Sequence, residues 1–158
     1  SGKTTIGREL FKRYKESRPA TVLIDGDEIR KIFNHDKTPD AYTIAGRKKN
    51  SERIFQLCAW LDRQNINVIC CILSIFPEHR KRNRKEFSSY KEIFLEAPLE
   101  ILQKRRTLYS DAFEGKTKNV VGVDIPFEKP IDSDMSFNTS NSDLSVTAIA
   151  NQIIDDLI

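Results

Sequence analysis

The chain of 158 residues is long enough for one domain with a real core, and its 26 Lys+Arg against 23 Asp+Glu leave a formal charge of only +3. That balance argues against a general nucleic-acid binder and leaves room for local basic clusters that face small anions. Three cysteines (Cys58, Cys70 and Cys71), with no C-x-x-C spacing, speak against a disulfide framework or zinc site and for buried thiols in a reducing compartment. No apolar run approaches the ~20 residues of a membrane span, and no signal peptide is visible, so the expectation is a cytoplasmic protein with no membrane partner.

In chain order, Ser1-Gly2-Lys3-Thr4-Thr5 is the back half of a phosphate-binding loop, G-x-x-x-x-G-K-[ST]. In such a loop backbone amides wrap the phosphates, the lysine reaches the β and γ phosphates, and the hydroxyl holds Mg²⁺. By itself the Gly2-Lys3-Thr4-Thr5 tetrapeptide reads equally well as an ordinary helix start. The motif's first glycine and its feeding strand would precede Ser1, so roughly ten further residues are expected there. Residues 3–17 form a helix with Ile6, Leu10 and Tyr14 on one face, ended by Arg18-Pro19. Residues 20–24 are a buried strand, stopping at Asp25-Gly26-Asp27. A short helix from Glu28 to Asn34, a loop over 35–45 and a long helix from Arg47 to Gln64 follow. That helix places Ile54, Leu57, Cys58 and Leu61 on one face, with Trp60 read as core.

Residues 67–73, a continuous apolar run, predict a strand covered on both sides. A charged helix over 78–87, a strand over 92–95 and a helix from Pro98 to Arg105 come next. Residues 107–133 lack periodicity and read as a surface excursion or lid, before a strand over 136–138 and a closing helix carrying Val146, Ile149, Ile153 and Leu157. Strands alternate with helices, so the fold class is α/β, a mostly parallel central sheet with helices on both faces in a single domain over 1–158. Ligands in such folds sit beyond the carboxyl ends of the strands, where the Gly2–Thr5 loop, Asp25-Gly26-Asp27 and Ser74–Pro77 should share one crevice. The Asp-Gly-Asp stretch also reads as a common turn after a strand. The basic run from His79 to Lys85 lacks interleaved aromatics, which argues against a nucleic-acid partner.

The chain resembles the adenylylsulfate (APS) kinase family of P-loop kinases over nearly its whole length. The resemblance rests on Ser-Gly-Lys-Thr-Thr at the start and on Asp25-Gly26-Asp27-Glu28-Ile29-Arg30 against D-G-D-N-x-R. It rests also on Arg47 and Asn50 against R-x-x-N, Ile75-Phe76-Pro77 against I-S-P, Ala97 to Ile101 against T-P-L-E-[VI], and Lys118 to Asp124 against K-x-F-T-G-I-D. It implies a P-loop NTPase-type three-layer sandwich with a lid segment, and transfer of the γ-phosphoryl of ATP to a ribose 3′-hydroxyl.

By the resemblance, Ser1, Gly2, Lys3, Thr4 and Thr5 hold ATP, with Thr4 and Asp25 at Mg²⁺. Asp27 is the group nearest the acceptor and, with Lys3, catalytic. Arg30, Arg47, Asn50, Ile75, Phe76 and Lys118 line the acceptor site with Asp25, and Arg105 lies near the ATP adenine. Arg30, Arg47 and Asn50 can each also be read as a solvated helix-face group, and Arg105 as a helix C-terminal charge. Arg82 matches one family arginine after I-S-P, while His79 or Arg80 matches the other. A homodimer is an analogy only.

Departures cluster on the acceptor side. Of the two phenylalanines that clamp the family's adenine, the first is Tyr42 and the second is Val120, so one stacking face is lost. Phe76 replaces a serine, and the lid segment Arg105-Arg106-Thr107-Leu108-Tyr109 is about two residues shorter and lacks a lysine. The pattern looks like the divergent branch that phosphorylates cytidine 5′-diphosphoramidate in capsule-polysaccharide pathways. The competing readings are a true APS kinase, a non-catalytic nucleotide-binding module, and a kinase for another small molecule on the same scaffold.

Overall fold

The computed structural model describes residues 2–98, 100–101, 111, 114–115, 117–140 and 143–158. Helix α1, Lys3–Ser17, starts from Gly2, whose φ of 76° lies in the left-handed region that glycine enters without a Cβ penalty. Strand β1, Thr21–Asp25, runs straight into α2, Gly26–Ile32, because the Asp25 carboxylate accepts the amides of Asp27 and Glu28 and caps the new helix. The short helix therefore begins at Gly26 rather than Glu28. Helix α3, Ile44–Asp62, likewise starts three residues ahead of Arg47, since the Thr43 side chain accepts the Gly46 amide.

Strand β2, Asn67–Cys71, is followed by α4, Pro77–Glu86, with proline at its first position. Strands β3, Ile93–Glu96, and β4, Met135–Asn138, precede α5, Val146–Leu157, capped by Ser145. Of the helix expected from Pro98 to Arg105, only Pro98, Glu100 and Ile101 are described; the last two are helical.

The strands form two parallel pairs among the described residues. β1 pairs with β2 from Thr21↔Asn67 to Asp25↔Cys71, and β3 pairs with β4 from Ile93↔Met135 to Glu96↔Asn138. Helices cover both faces. On one, Ile6 and Leu10 of α1 and Ile149, Ala150 and Ile153 of α5 pack with Phe137, against Ile69 of β2 and Ile93 and Leu95 of β3. On the other, Ile29, Ile54 and Cys58 of α2 and α3 pack on Ile24, with Val68, Ile72 and Phe87 alongside. This is a three-layer α/β arrangement of the P-loop NTPase type.

Three expectations are corrected. Trp60 is 55% exposed, because it sits two residues beyond Cys58 and so on the opposite side of α3 from the Ile54–Cys58 stripe. β2 is not covered throughout: Asn67 and Cys70 are exposed, as suits a strand paired only with β1 among the described residues. Among the three cysteines Cys58 is a buried residue, Cys71 is half-buried and Cys70 is exposed as a residue while its thiol turns inward to Cys58.

Candidate active site

The parallel register puts Asp25 beside Cys71, so the chain leaves β1 and β2 at the same edge of the sheet. Here the first turn of α1 meets α2. The Thr4 hydroxyl donates to one oxygen of Asp25 at 2.7 Å. The other oxygen accepts the amides of Asp27 at 2.9 Å and Glu28 at 3.4 Å. Burial by itself would raise the Asp25 carboxyl. The hydrogen bonds from Thr4, Asp27 and Glu28 outweigh it and hold the group below 3.8, fully ionised at neutral pH.

The start of α1 has no side-chain cap and no acidic residue in its first turn. Its leading amides are therefore donors suited to an anion rather than to a side chain. Gly2 and Thr5 are exposed and Lys3 half-buried, with the Lys3 carbonyl accepting from the Cys71 thiol at 3.5 Å. Ser1 and Arg105 lie outside the described residues.

A second group of side chains gathers on α2, α3 and the loop between them. Asp27 is exposed, and its carboxylate accepts from Arg30 Nη1 at 2.8 Å. Arg30 itself is only 7% exposed, and its guanidinium lies 4.8 Å from the centre of the Tyr42 ring. Arg47 lies 5.7 Å from the same ring. Tyr42 thus carries two cations on its π system before any ligand arrives. Arg47 also donates through Nε to the Tyr42 carbonyl and through Nη2 to the Asn119 carbonyl, both at 2.9 Å, bracing two loops far apart in sequence. Asn50 is 2% exposed and donates to the Gly26 carbonyl at 3.0 Å. Arg30 and Asn50 are therefore not the solvated helix-face groups of the alternative reading.

Asp124 organises the loop that Arg47 reaches. Its two oxygens accept the amides of Asn119 and Val120, each at 2.5 Å, with Asn119 at a φ of 63°. Val120 is buried at 6% exposure and Lys118 is exposed. Sequence reasoning quoted Asp124 only as part of a motif and missed this organising role. The signal was an aspartate four residues beyond a glycine-bearing loop's start.

On the remaining side, Ile75 and Phe76 enter α4, and the Phe76 ring lies 5.0 Å from that of His79. His79 is buried, and its Nδ1 shares a 2.8 Å hydrogen bond with Ser51 of α3. Burial, then the charge of Arg82, keeps His79 below its ordinary 6.5 and so neutral. Arg80 turns to the Ser74 carbonyl and Glu92, and Arg82 to Glu52, so His79 is the member of the basic run facing Phe76.

A three-layer α/β fold with an uncapped helix start beside a hydroxyl–carboxylate pair is an arrangement of the P-loop NTPase type. A family model for adenylylsulphate kinase matches residues 1–138, and the chain belongs to that family. It is 37% identical over 142 residues to a cytidine diphosphoramidate kinase of Campylobacter jejuni, covering 89% of this chain and 81% of that one. It is 32% identical over 144 residues to an adenylyl-sulfate kinase of Paraburkholderia xenovorans, covering 88% and 78%. Among solved structures, the Mycobacterium tuberculosis APS kinase CysC in complex with AMPPNP and APS superposes with a TM-score of 0.82 at 26% identity, over 99% of this chain and 90% of that one. The protein is thus a kinase of the APS kinase family.

Proposed function

We propose that this kinase transfers the γ-phosphoryl group of ATP to the ribose 3′-hydroxyl of a nucleotide, and that the nucleotide is cytidine 5′-diphosphoramidate. The observation that carries the transfer reading is the Thr4–Asp25 hydrogen bond, which sets the α1 amides beside the carboxylates of the Asp-Gly-Asp stretch. Gly2, Lys3, Thr4 and Thr5, with Ser1 and Arg105, take the ATP phosphates and base. Thr4 and Asp25 suit Mg²⁺, being hard oxygen donors already 2.7 Å apart. When bound, Mg²⁺ supplies charge neutralisation on the phosphates.

Asp27 accepts the proton of the attacking hydroxyl. It is exposed, at the same strand end, and its orientation is held by Arg30. Arg30, Arg47, Asn50, Tyr42, Ile75, Phe76, Lys118 and Val120 bound the acceptor side, with residues 107–133 as a lid over one kinase domain.

The cytidine acceptor is supported by the similarity to the Campylobacter enzyme and by Val120 in place of an aromatic clamp. A pyrimidine has less face to sandwich than adenine, so losing one stacking partner matters less for it. Such a product fits a capsular-polysaccharide modification pathway. The second reading, adenylylsulfate as acceptor, draws on the likeness to a kinase solved with APS and on the Paraburkholderia relative. Steady-state turnover with ATP, Mg²⁺ and each acceptor decides between them. Efficient use of the cytidine compound and poor use of adenylylsulfate is expected, and the reverse overturns the proposed acceptor.

A further inference from the structure

The segment that presents Tyr42 is tied down at both ends, and a contact between two side chains closes it. At its start the His35 amide donates to the Arg30 carbonyl at 2.8 Å, and the His35 carbonyl accepts the Thr38 hydroxyl at 2.8 Å. At its far end the Asp40 carbonyl accepts the Thr43 amide at 3.0 Å and the Thr43 hydroxyl at 2.7 Å. That hydroxyl also caps α3 through the Gly46 amide. His35 Nε2 then lies 3.5 Å from Asp40 Oδ2, which joins the end of α2 to the start of α3. Between the contact and the cap, Ala41 is buried and Tyr42 is exposed.

The two partners differ in their surroundings. His35 is 3% exposed, whereas the Asp40 side chain is 54% exposed. Both ring nitrogens of His35 are buried, and neither has a hydrogen-bond partner at a shorter distance among the described residues. An apolar side chain would fill the same space with no buried nitrogen to satisfy, so packing does not account for an imidazole here. The Thr38 hydroxyl, and then the His35 ring, hold the Asp40 carboxyl below its ordinary value. Asp40 is therefore an ionised group that only accepts, and the ring proton that meets it sits on Nε2.

We propose that His35 is a positioning residue for the acceptor: its contact with Asp40 closes residues 35–43 and sets the Tyr42 ring against Arg30 and Arg47. Arg30 takes part twice, since its carbonyl anchors His35 while its guanidinium lies 4.8 Å from the Tyr42 ring. A loosened segment therefore shifts the ring relative to the guanidinium. Neither His35 nor Asp40 stands in the segments that carry the family resemblance. The inference rests on the proposed nucleotide-kinase reading, in which Tyr42 bounds the acceptor side.

The test measures kcat and both KM values for the intact protein, with ATP and whichever acceptor nucleotide the wild type phosphorylates. Asp40→Ala removes an exposed side chain and leaves the core as it is. Its acceptor KM should rise about tenfold or more while kcat and the ATP KM stay within about twofold, because small displacements of a positioning group are worth up to about 10²-fold. His35→Leu should do the same. His35→Gln, whose amide N–H reaches as far as Nε2, should recover most of the loss. Joining Asp40→Ala to His35→Leu should add little, since both remove one contact. A merely structural role would instead lower the melting temperature and move both KM values alike. Should His35→Leu fail to fold, Asp40→Ala decides. An unchanged acceptor KM in Asp40→Ala overturns the inference and leaves the kinase reading standing. A wild type that phosphorylates neither the cytidine diphosphoramidate nor adenylylsulfate overturns that reading and this inference with it.

Discussion

The Thr4 hydroxyl lies 2.7 Å from Asp25 Oδ2, while Asp25 Oδ1 caps α2, so one carboxylate joins the first turn of α1 to the first turn of α2. Its pH behaviour follows from the balance at that carboxylate. Burial opposes ionisation, and the three hydrogen bonds more than offset it, leaving the folded group below its ordinary 3.8. A depressed carboxyl adds stability that is present above the unfolded value and is lost as pH falls through the folded one. Asp25→Asn keeps the size and discards the charge. The urea midpoint should therefore be lower in the variant at neutral pH, and the gap to wild type should close as pH drops below 3.8. A gap that is constant across that range would show that the carboxylate's charge contributes nothing.

Asp27 invites the opposite separation of effects. Its side chain is 69% exposed, and asparagine can still accept from Arg30. Asp27→Asn should leave the melting temperature nearly unchanged while lowering kcat by about 10²- to 10⁴-fold, the range for loss of a positioned base. Turnover within a few-fold of wild type would remove Asp27 from the proton-transfer step.

Much of the architecture was legible because it follows from local pattern. The apolar spacing of Ile6 and Leu10, and of Ile54 and Cys58, is the spacing that buries them. The shared strand edge was legible too, since parallel strands joined by helices must end together. What escaped were effects of side chains on backbone. Asp25 and Thr43 start helices earlier than periodicity suggests, because a capping oxygen acts before the first apolar residue appears. Arg47 was legible as a cation but not as a brace, since Asn119 lies 72 positions away. Likewise Tyr42 was legible as an aromatic platform, whereas its occupation by Arg30 and Arg47 depends on how the loop folds back.

That fold-back depends on Gly46. A Cβ there would collide with the backbone carbonyl of Asp40, which cannot step aside as a side chain could. Gly46→Ala should cost about 1–3 kcal/mol by overpacking and should shift the segment that carries Tyr42. Because Arg47 holds the Tyr42 carbonyl, the acceptor KM should rise more than the ATP KM. Equal changes in both would place the damage in the whole fold rather than on the acceptor side.

Gly7 presents the contrasting case. A Cβ at this position in α1 would meet the Cys71 thiol, a single movable atom, with the Leu23 side chain in ordinary contact. Gly7→Ala should destabilise the protein, and adding Cys71→Ala should recover much of the loss. The double-mutant cycle should thus give a coupling of about 0.5–3 kcal/mol, as for directly touching groups. Additive effects in chemical denaturation would mean that α1 does not approach β2 this closely.

Helix α3 offers the sharpest check on which of its faces is buried. Ile54 is 4% exposed and packs with Ile24, Ile29 and Cys58, whereas Trp60 is 55% exposed despite its larger apolar surface. Residue size alone predicts that truncating the tryptophan does more harm. Burial predicts the reverse, because a cavity forms only where neighbours surround the lost atoms. Ile54→Ala should cost about 2–5 kcal/mol. Trp60→Ala should stay within about 0.5 kcal/mol of wild type, as surface substitutions do. Urea denaturation of the two variants decides the matter, and a Trp60→Ala loss as large as that of Ile54→Ala would mean that this face of α3 is covered in solution.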